Sequence, residues 1–137
     1  MPIRILVVDD HALVRRGLKT LVGGHPGWEL VDEAVDGLEA VDKAGRLTPD
    51  VVMLDLSMPK MGGLEACRLI RKSLPQCEVL VITQHDSPQM MREARAAGAK
   101  GYIVKSNIAR DLVKAVEAVS EHKAFVPQDD PYKVLMD

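Results

Sequence analysis

Two periodicities of apolar residues alternate along this chain. Short, mostly apolar runs at residues 3–8, 51–54, 79–82 and 101–104 are typical of strands that are buried on both faces, and residues 28–35 give a weaker strand signal. Between and after these runs, apolar residues recur at spacings of three and four, which predicts helices that end near glycine or proline. The second of these helices is expected to end near Gly45. The pattern therefore predicts five successive strand–helix units.

Strand–helix units at such short spacing favour an α/β fold, in which a parallel sheet carries helices on both faces. Right-handed crossovers leave few ways to order the strands. The leading arrangement is a flavodoxin-like, doubly wound, five-stranded sheet with strand order 2-1-3-4-5 and five helices. We expect one domain over residues 1–123, followed by a C-terminal tail or the start of an interdomain linker over 124–137.

Composition narrows the class of protein. The chain has 137 residues, of which 47% are hydrophobic and 28% charged, as in an ordinary globular domain. A net charge of −2 gives no general attraction to nucleic acid or to a membrane surface. The sequence shows neither a membrane-spanning stretch nor a signal segment, so we expect a cytoplasmic protein. Cys67 and Cys77 lack the spacing of a metal site and are expected to be buried apolar residues.

Polar residues collect where the predicted strands end. Asp9 and Asp10 follow the first strand, Asp55 the third, Thr83 the fourth and Lys105 the fifth. In the predicted strand order these positions line one crevice at the carboxyl edge of the sheet, where ligands bind in such folds. Three neighbouring carboxylates repel each other unless a cation is present, and Mg²⁺ prefers oxygen ligands of this kind.

The same set of side chains suits phosphoryl transfer. A carboxylate such as Asp55 can attack phosphorus and form an aspartyl phosphate. The Lys105 ammonium and the Thr83 hydroxyl can bind oxygens of the transferred group, and the metal neutralises its charge. By contrast, we expect His11 to be a first-turn surface residue and no ligand, and the other histidines (His25, His85 and His122) to be solvated.

Four stretches of the sequence carry a family resemblance. They are 5–11 (ILVVDDH), 55–65 (DLSMPKMGGLE), 81–83 (VIT) and 98–105 (GAKGYIVK). Together they resemble the receiver domain of two-component response regulators over about residues 2–123. The segment 14–18 (VRRGL) after Asp-Asp-His is similar to the NarL/LuxR-type subfamily. Gln84 departs from the family, because many receivers have a small residue at that position.

The resemblance implies a role for each matching residue. Asp55 would be the phosphoacceptor, and Lys105 would bind a phosphoryl oxygen. Mg²⁺ would be held by Asp9, Asp10, Asp55 and the backbone carbonyl of Ser57. Thr83 would move toward the phosphoryl group, and Tyr102 would be the aromatic switch that follows it. The domain would be a phosphoacceptor in signalling rather than an enzyme, although it would assist its own phosphorylation and dephosphorylation.

The resemblance also implies partners. The phosphoryl donor would be a phosphohistidine on a sensor histidine kinase, and a second copy of the chain could bind after phosphorylation. NarL/LuxR-type regulators normally continue into a helix-turn-helix domain, but the sequence after Pro127 is too short for one. We therefore expect no direct binding of nucleic acid or membrane by this chain, and we favour a fragment of a longer transcriptional regulator over a stand-alone receiver.

Two other classes of protein share part of this sequence pattern. A small flavin mononucleotide protein on the same fold would need a loop rich in Ser, Thr and Gly after the first strand. This chain has Asp9 and Asp10 there, which would repel the phosphate. A pseudo-receiver that only mediates protein contacts would not need the full set of acidic, Thr and Lys residues.

Overall fold

The computed structural model describes residues 1–84 and 87–126. Its strands are Ile3–Val8 (β1), Trp28–Ala34 (β2), Val51–Leu54 (β3), Glu78–Thr83 (β4) and Gly101–Val104 (β5). Its helices are Ala12–Gly23 (α1), Gly37–Leu47 (α2), Gly63–Ser73 (α3), Pro88–Ala96 (α4) and Ile108–Ser120 (α5). A single 3-10 turn, Lys105–Asn107, joins β5 to α5.

The five strands form one parallel sheet in the order β2-β1-β3-β4-β5. This confirms the predicted flavodoxin-like fold and its strand order. β3 and β4 are buried along their whole length, and β3 and the central residues 79–82 of β4 are apolar on both faces, so they read as continuous runs. None of the described helices is both long and apolar enough to cross a membrane.

Alternate residues of each strand enter two separate core layers. In β1, Leu6 and Val8 belong to the layer that also buries apolar residues of α2, α3 and α4. Ile5 and Val7 point to the opposite layer, which buries residues of α1 and α5. The sheet is therefore covered on both faces, and its carboxyl edge remains as the place where polar side chains can meet.

Helix α2 runs two residues past the expected end. The prediction that it stops near Gly45 is wrong, because the helix continues to Leu47. A Cβ at Gly45 would meet no atom within 4 Å, so this glycine occupies an open position inside the helix. The helix ends instead at Thr48, which adopts a left-handed conformation with φ of 45° and donates its N–H to Ala44.

The segment after α5 contacts the edge of the sheet. The Phe125 N–H donates to the Lys100 carbonyl, and the Tyr102 N–H donates to the Phe125 carbonyl, both at 3.1 Å. Val126 is buried in the same core layer as Tyr102. The boundary between residues 123 and 124 stays a prediction, and the tail from Pro127, like His85, lies outside the described residues.

Glycine opens α3 where the loop after β3 passes very close to the helix. A Cβ on Gly63 would lie 2.3 Å from the Asp55 carbonyl oxygen and 2.6 Å from the Leu56 Cα. Non-bonded atoms do not approach this closely, and both neighbours are backbone atoms that no side-chain rotation can move. The Gly63 position therefore fixes the backbone of the residue at the end of β3.

Gly63→Ala is expected to lower the free energy of unfolding by about 2 kcal/mol, since a methyl group forced into a packed site costs roughly 1–3 kcal/mol. Urea unfolding measures this change. Gly45→Ala is the matched control: it adds the same methyl group at an open helical position and should stabilise the protein by about 0.5–1 kcal/mol. A Gly63→Ala protein with the wild-type urea midpoint would show that the close approach does not exist.

Candidate functional site

Four of the predicted polar residues lie at the carboxyl edge of the sheet. Three of them end or follow a strand, and the fourth begins a turn. Asp9 follows β1, Asp55 follows β3, Thr83 ends β4 and Lys105 begins the 3-10 turn after β5. The Asp55 N–H donates to the Val8 carbonyl at 3.0 Å, which ties the end of β3 to that of β1. The crevice expected from the strand order is present.

The acidic residues lie close enough together to share one cation. Asp9, Asp10, His11 and Asp55 each offer one ligand atom, and these atoms all lie within 4.8 Å of one another. Asp9 and Asp55 are buried, with 1% and 3% of their surfaces exposed. Carboxylate oxygens packed this closely repel each other strongly, and a hard divalent cation relieves that repulsion. The donor set therefore fits Mg²⁺.

The Asp55 carboxyl group is buried and has few hydrogen-bond partners. Among the described residues, its Oδ2 is buried and has no hydrogen-bond partner, whereas its Oδ1 accepts only a long 3.4 Å hydrogen bond from the Ser57 N–H. Burial raises the pKa of the Asp55 carboxyl above its ordinary value, and the neighbouring Asp9 carboxylate raises that pKa further. The Lys105 ammonium and the Ser57 N–H act in the opposite direction.

Lys105 supplies the positive charge of the crevice. Its Nζ lies 2.9 Å from Asp9 Oδ2 and 3.5 Å from Asp55 Oδ1, and its side chain is only 10% exposed. The ammonium therefore sits between two buried carboxylates, within reach of any group bound to Asp55. A compact cation at this place suits a phosphoryl oxygen.

Thr83 and Tyr102 lie on the neighbouring strands β4 and β5, and Tyr102 lies two residues further from the carboxyl edge than the partner of Thr83. Both are fully buried. Thr83 pairs with Val104 across β4 and β5, and Tyr102 pairs with Val81 two residues earlier. Tyr102 is therefore set back from the edge and packs in the core layer that includes Met91 of α4.

The profile of the response regulator receiver domain matches residues 5–117, which is most of the chain. The chain belongs to the response regulator receiver domain family. It is 36% identical to the transcriptional regulatory protein DegU of Brevibacillus brevis over 90% of its length, and 34% identical to the nitrate/nitrite response regulator NarP of Escherichia coli over 98%. It spans 52% of DegU and 69% of NarP.

A solved structure gives the same assignment. The crystal structure of a LuxR-family two-component response regulator from Aurantimonas sp. SI85-9A1 superimposes with a TM-score of 0.89 at 36% identity. The match covers 99% of this chain and 96% of that one. The predicted membership in the NarL/LuxR-type receivers is confirmed, while the roles of the individual site residues stay predictions.

Gln84 was singled out from the sequence, but the site contacts of His11 and Arg15 were not predicted. The His11 ring is 56% exposed, as predicted, but its Nδ1 lies 3.3 Å from Asp9 Oδ1 and 3.2 Å from Asp10 Oδ1. Arg15 donates to the Asp9 carbonyl at 2.8 Å and to the Glu33 carboxylate at 2.7 Å, which fixes the backbone of the acidic pair. Gln84 lines the small cavity in front of Asp55.

A signal for Arg15 was present in the sequence. Arg15 stands one helical turn after His11, so its side chain can reach back over the start of α1. No comparable signal identified Glu33, because the contact between α1 and β2 depends on the tertiary packing. The sequence therefore could place the charge of Arg15 near the site, but it could not identify Glu33 as the partner of Arg15.

Proposed function

We propose that this receiver domain accepts a phosphoryl group on Asp55 from a phosphohistidine of a sensor histidine kinase. The observation that carries the proposal is the buried, unpartnered Asp55 Oδ2 among the described residues, with Lys105 Nζ 3.5 Å from the other oxygen of the same carboxylate. An oxygen in this position is available to attack an electrophile. The family match supports the same chemistry.

In the proposed step, Asp55 Oδ2 forms a bond to phosphorus while the bond between phosphorus and the donor nitrogen breaks. The electron pair of that bond stays on the donor imidazole. The Lys105 ammonium binds one phosphoryl oxygen, and the Thr83 hydroxyl donates a hydrogen bond to another. These contacts hold the group in line and neutralise part of its charge.

Asp9, Asp10, Asp55 and the Ser57 carbonyl are the proposed ligands of Mg²⁺, which would neutralise charge on the phosphoryl oxygens when it is bound. Arg15 holds the Asp9 carbonyl, and Lys105 holds the Asp9 carboxylate. Both contacts orient the acidic pair toward Asp55. We also propose that the same residues assist the later hydrolysis of the aspartyl phosphate.

The proposed readout passes from Thr83 to Tyr102, whose ring packs beside α4. A phosphoryl group on Asp55 would draw the Thr83 hydroxyl toward the crevice and leave space that the Tyr102 ring can fill. We propose that the changed surface binds a second copy of the chain and, in a longer cytoplasmic protein, controls a DNA-binding output domain. This chain itself is not proposed to bind DNA.

Intact-mass measurement tests the proposal. The wild-type protein, incubated with a small phosphoryl donor and Mg²⁺, is expected to gain one phosphoryl group, and a chelator should prevent the gain. Asp55→Asn should gain none, whereas the buried control Asp36→Asn, which lies at the N-terminus of α2, should behave as the wild type. Absence of an adduct with every donor would favour a protein that only mediates contacts.

A further inference from the structure

The imidazole of His11 lies at the rim of the acidic crevice. Its backbone N–H donates to Asp9 Oδ1 at 2.8 Å, and its ring Nδ1 lies within 3.3 Å of oxygens from both Asp9 and Asp10. The ring also lines the small cavity that contains Asp55 and Ser57. The backbone contact therefore holds this nitrogen beside the carboxylates.

The four donors have the spacing of a coordination shell. One atom each from Asp9, Asp10, His11 and Asp55 lies within 4.8 Å of the others. Donors on opposite sides of a divalent cation lie about 4–5 Å apart, because each bond is roughly 2.0–2.3 Å long. Within this cluster the Asp55 Oδ2 is buried and has no hydrogen-bond partner among the described residues, which indicates that a ligand belongs here.

The carboxylate oxygens and the imidazole nitrogen of this site prefer different cations. Mg²⁺ takes oxygen ligands and retains water, so the carboxylates suffice for it. An imidazole nitrogen contributes little to Mg²⁺ but is a strong ligand for Zn²⁺, Co²⁺ and Ni²⁺. Lys105 contacts Oδ2 of Asp9, whereas Oδ1 lies next to the His11 ring and accepts the His11 backbone N–H, which leaves it one further lone pair for a metal.

We propose that His11 is a metal ligand. With it, the crevice binds divalent cations that prefer nitrogen ligands, such as Zn²⁺, through one imidazole nitrogen and three carboxylates. The inference rests on the proposed function only in placing a cation among these carboxylates. It adds that Zn²⁺ competes with Mg²⁺ for the crevice and that His11 sets the selectivity between them.

Calorimetric titration of the whole chain with Zn²⁺ and, separately, with Mg²⁺ measures the effect of His11→Gln. The affinity for Zn²⁺ should fall by roughly 100-fold or more, since loss of a group that only supports a metal ligand already costs about 10- to 100-fold. The affinity for Mg²⁺ should be unchanged. His25→Gln is the matched control, because its ring stacks on Trp28 instead of facing the carboxylates, and it should alter neither affinity.

A spectroscopic measurement separates ligation from a structural effect. Co²⁺ bound to the wild-type chain should give a visible spectrum that changes in His11→Gln. His11→Cys should restore tight Zn²⁺ binding and add a charge-transfer band from the thiolate to Co²⁺. A variant that only disturbed the fold would produce neither the restored affinity nor the new band.

The proposal is overturned if His11→Gln weakens Zn²⁺ and Mg²⁺ equally, because His11 would then only position the acidic pair. It is also overturned if neither affinity changes. In both cases phosphorylation in Mg²⁺ can still succeed, so the function proposed for Asp55 survives. If the wild type binds neither cation, the acidic site itself fails, and the metal-dependent function fails with it.

Discussion

Lys105→Met is expected to lower the free energy of unfolding by about 3 kcal/mol in the presence of a chelator, because removing one partner of a buried ion pair leaves the other uncompensated. In this domain the uncompensated groups are the carboxylates of Asp9 and Asp55, which are 1% and 3% exposed. Lys105 Nζ is the cation nearest to both. Urea unfolding of the wild type and the variant measures the difference.

Magnesium should reduce the difference in the free energy of unfolding between the wild type and Lys105→Met. A cation that binds only the folded state stabilises it by an amount that grows with its affinity. Without the Lys105 ammonium, the crevice repels Mg²⁺ less, so Mg²⁺ should stabilise Lys105→Met more than it stabilises the wild type. Lys123→Met, which removes an exposed lysine paired with Glu121, is the control and should leave the free energy of unfolding unchanged. A larger gain from Mg²⁺ in the wild type would contradict this account.

Asp55→Asn is expected to abolish phosphorylation and, at the same time, to stabilise the metal-free protein by about 1 kcal/mol. The wild-type side chain is buried, and its Oδ2 has no hydrogen-bond partner among the described residues. An amide at this position carries no charge and can donate to the carboxylates of Asp9 or Asp10. The proposed phosphoacceptor is therefore expected to lower the stability of the metal-free protein.

The extra stability of Asp55→Asn over the wild type should increase with pH. Burial and Asp9 raise the pKa of the folded-state Asp55 carboxyl above its unfolded value. The folded state then retains a proton that the unfolded state has lost, so wild-type stability falls as the pH rises between the two pKa values. The advantage of Asp55→Asn should be absent below the unfolded pKa and complete above the folded one.

Chemical unfolding at a series of pH values, in the presence of chelator, measures this dependence. Asp36→Asn is the control, since Asp36 is also buried but caps α2 through a hydrogen bond to the Glu39 N–H, which asparagine can accept equally well. A constant difference between Asp55→Asn and the wild type across the acidic range would show that the carboxyl is not perturbed.

Much of this fold could be predicted because parallel strands buried on both faces are readable as apolar runs. The runs 3–8, 51–54 and 101–104 match β1, β3 and β5, and β4 differs from its predicted run by one residue at each end. The crossover rule left few strand orders, of which 2-1-3-4-5 was the leading one, and this order brings Asp9, Asp55 and Lys105 together. Here the position along a strand determines the position in the site.

Contacts between distant side chains could not be predicted. Glu78 begins β4 one residue before the predicted run, and its buried carboxylate contacts His122, which is 44 positions away, with His122 Nδ1 at 2.5 Å. Arg71 of α3 lies 3.2 Å from the other oxygen. His122 is half exposed, as expected for a solvated histidine, but its contact with Glu78 was not predicted. The partner of an ionisable residue depends on where helix ends meet the sheet, which the local pattern does not encode.

His11 illustrates the same limit inside the site. Its exposure was predicted correctly from its place in the first helical turn, but not the direction of its ring toward Asp9 and Asp10. The backbone hydrogen bond between the His11 N–H and the Asp9 carboxylate places the residue beside the acidic pair, within reach of its ring. Such a contact is set by the turn between β1 and α1 and is invisible to apolar periodicity.

The central claim is that Asp55 is the residue that accepts the phosphoryl group, and chemical mapping of the adduct tests it most directly. Borohydride reduces an aspartyl phosphate to homoserine and leaves ordinary aspartates unchanged. After incubation with donor and Mg²⁺, reduction, digestion and tandem mass spectrometry, we predict homoserine at position 55 and at no other aspartate. Homoserine at position 9 or 10, or an adduct that survives on Asp55→Asn, would contradict the account.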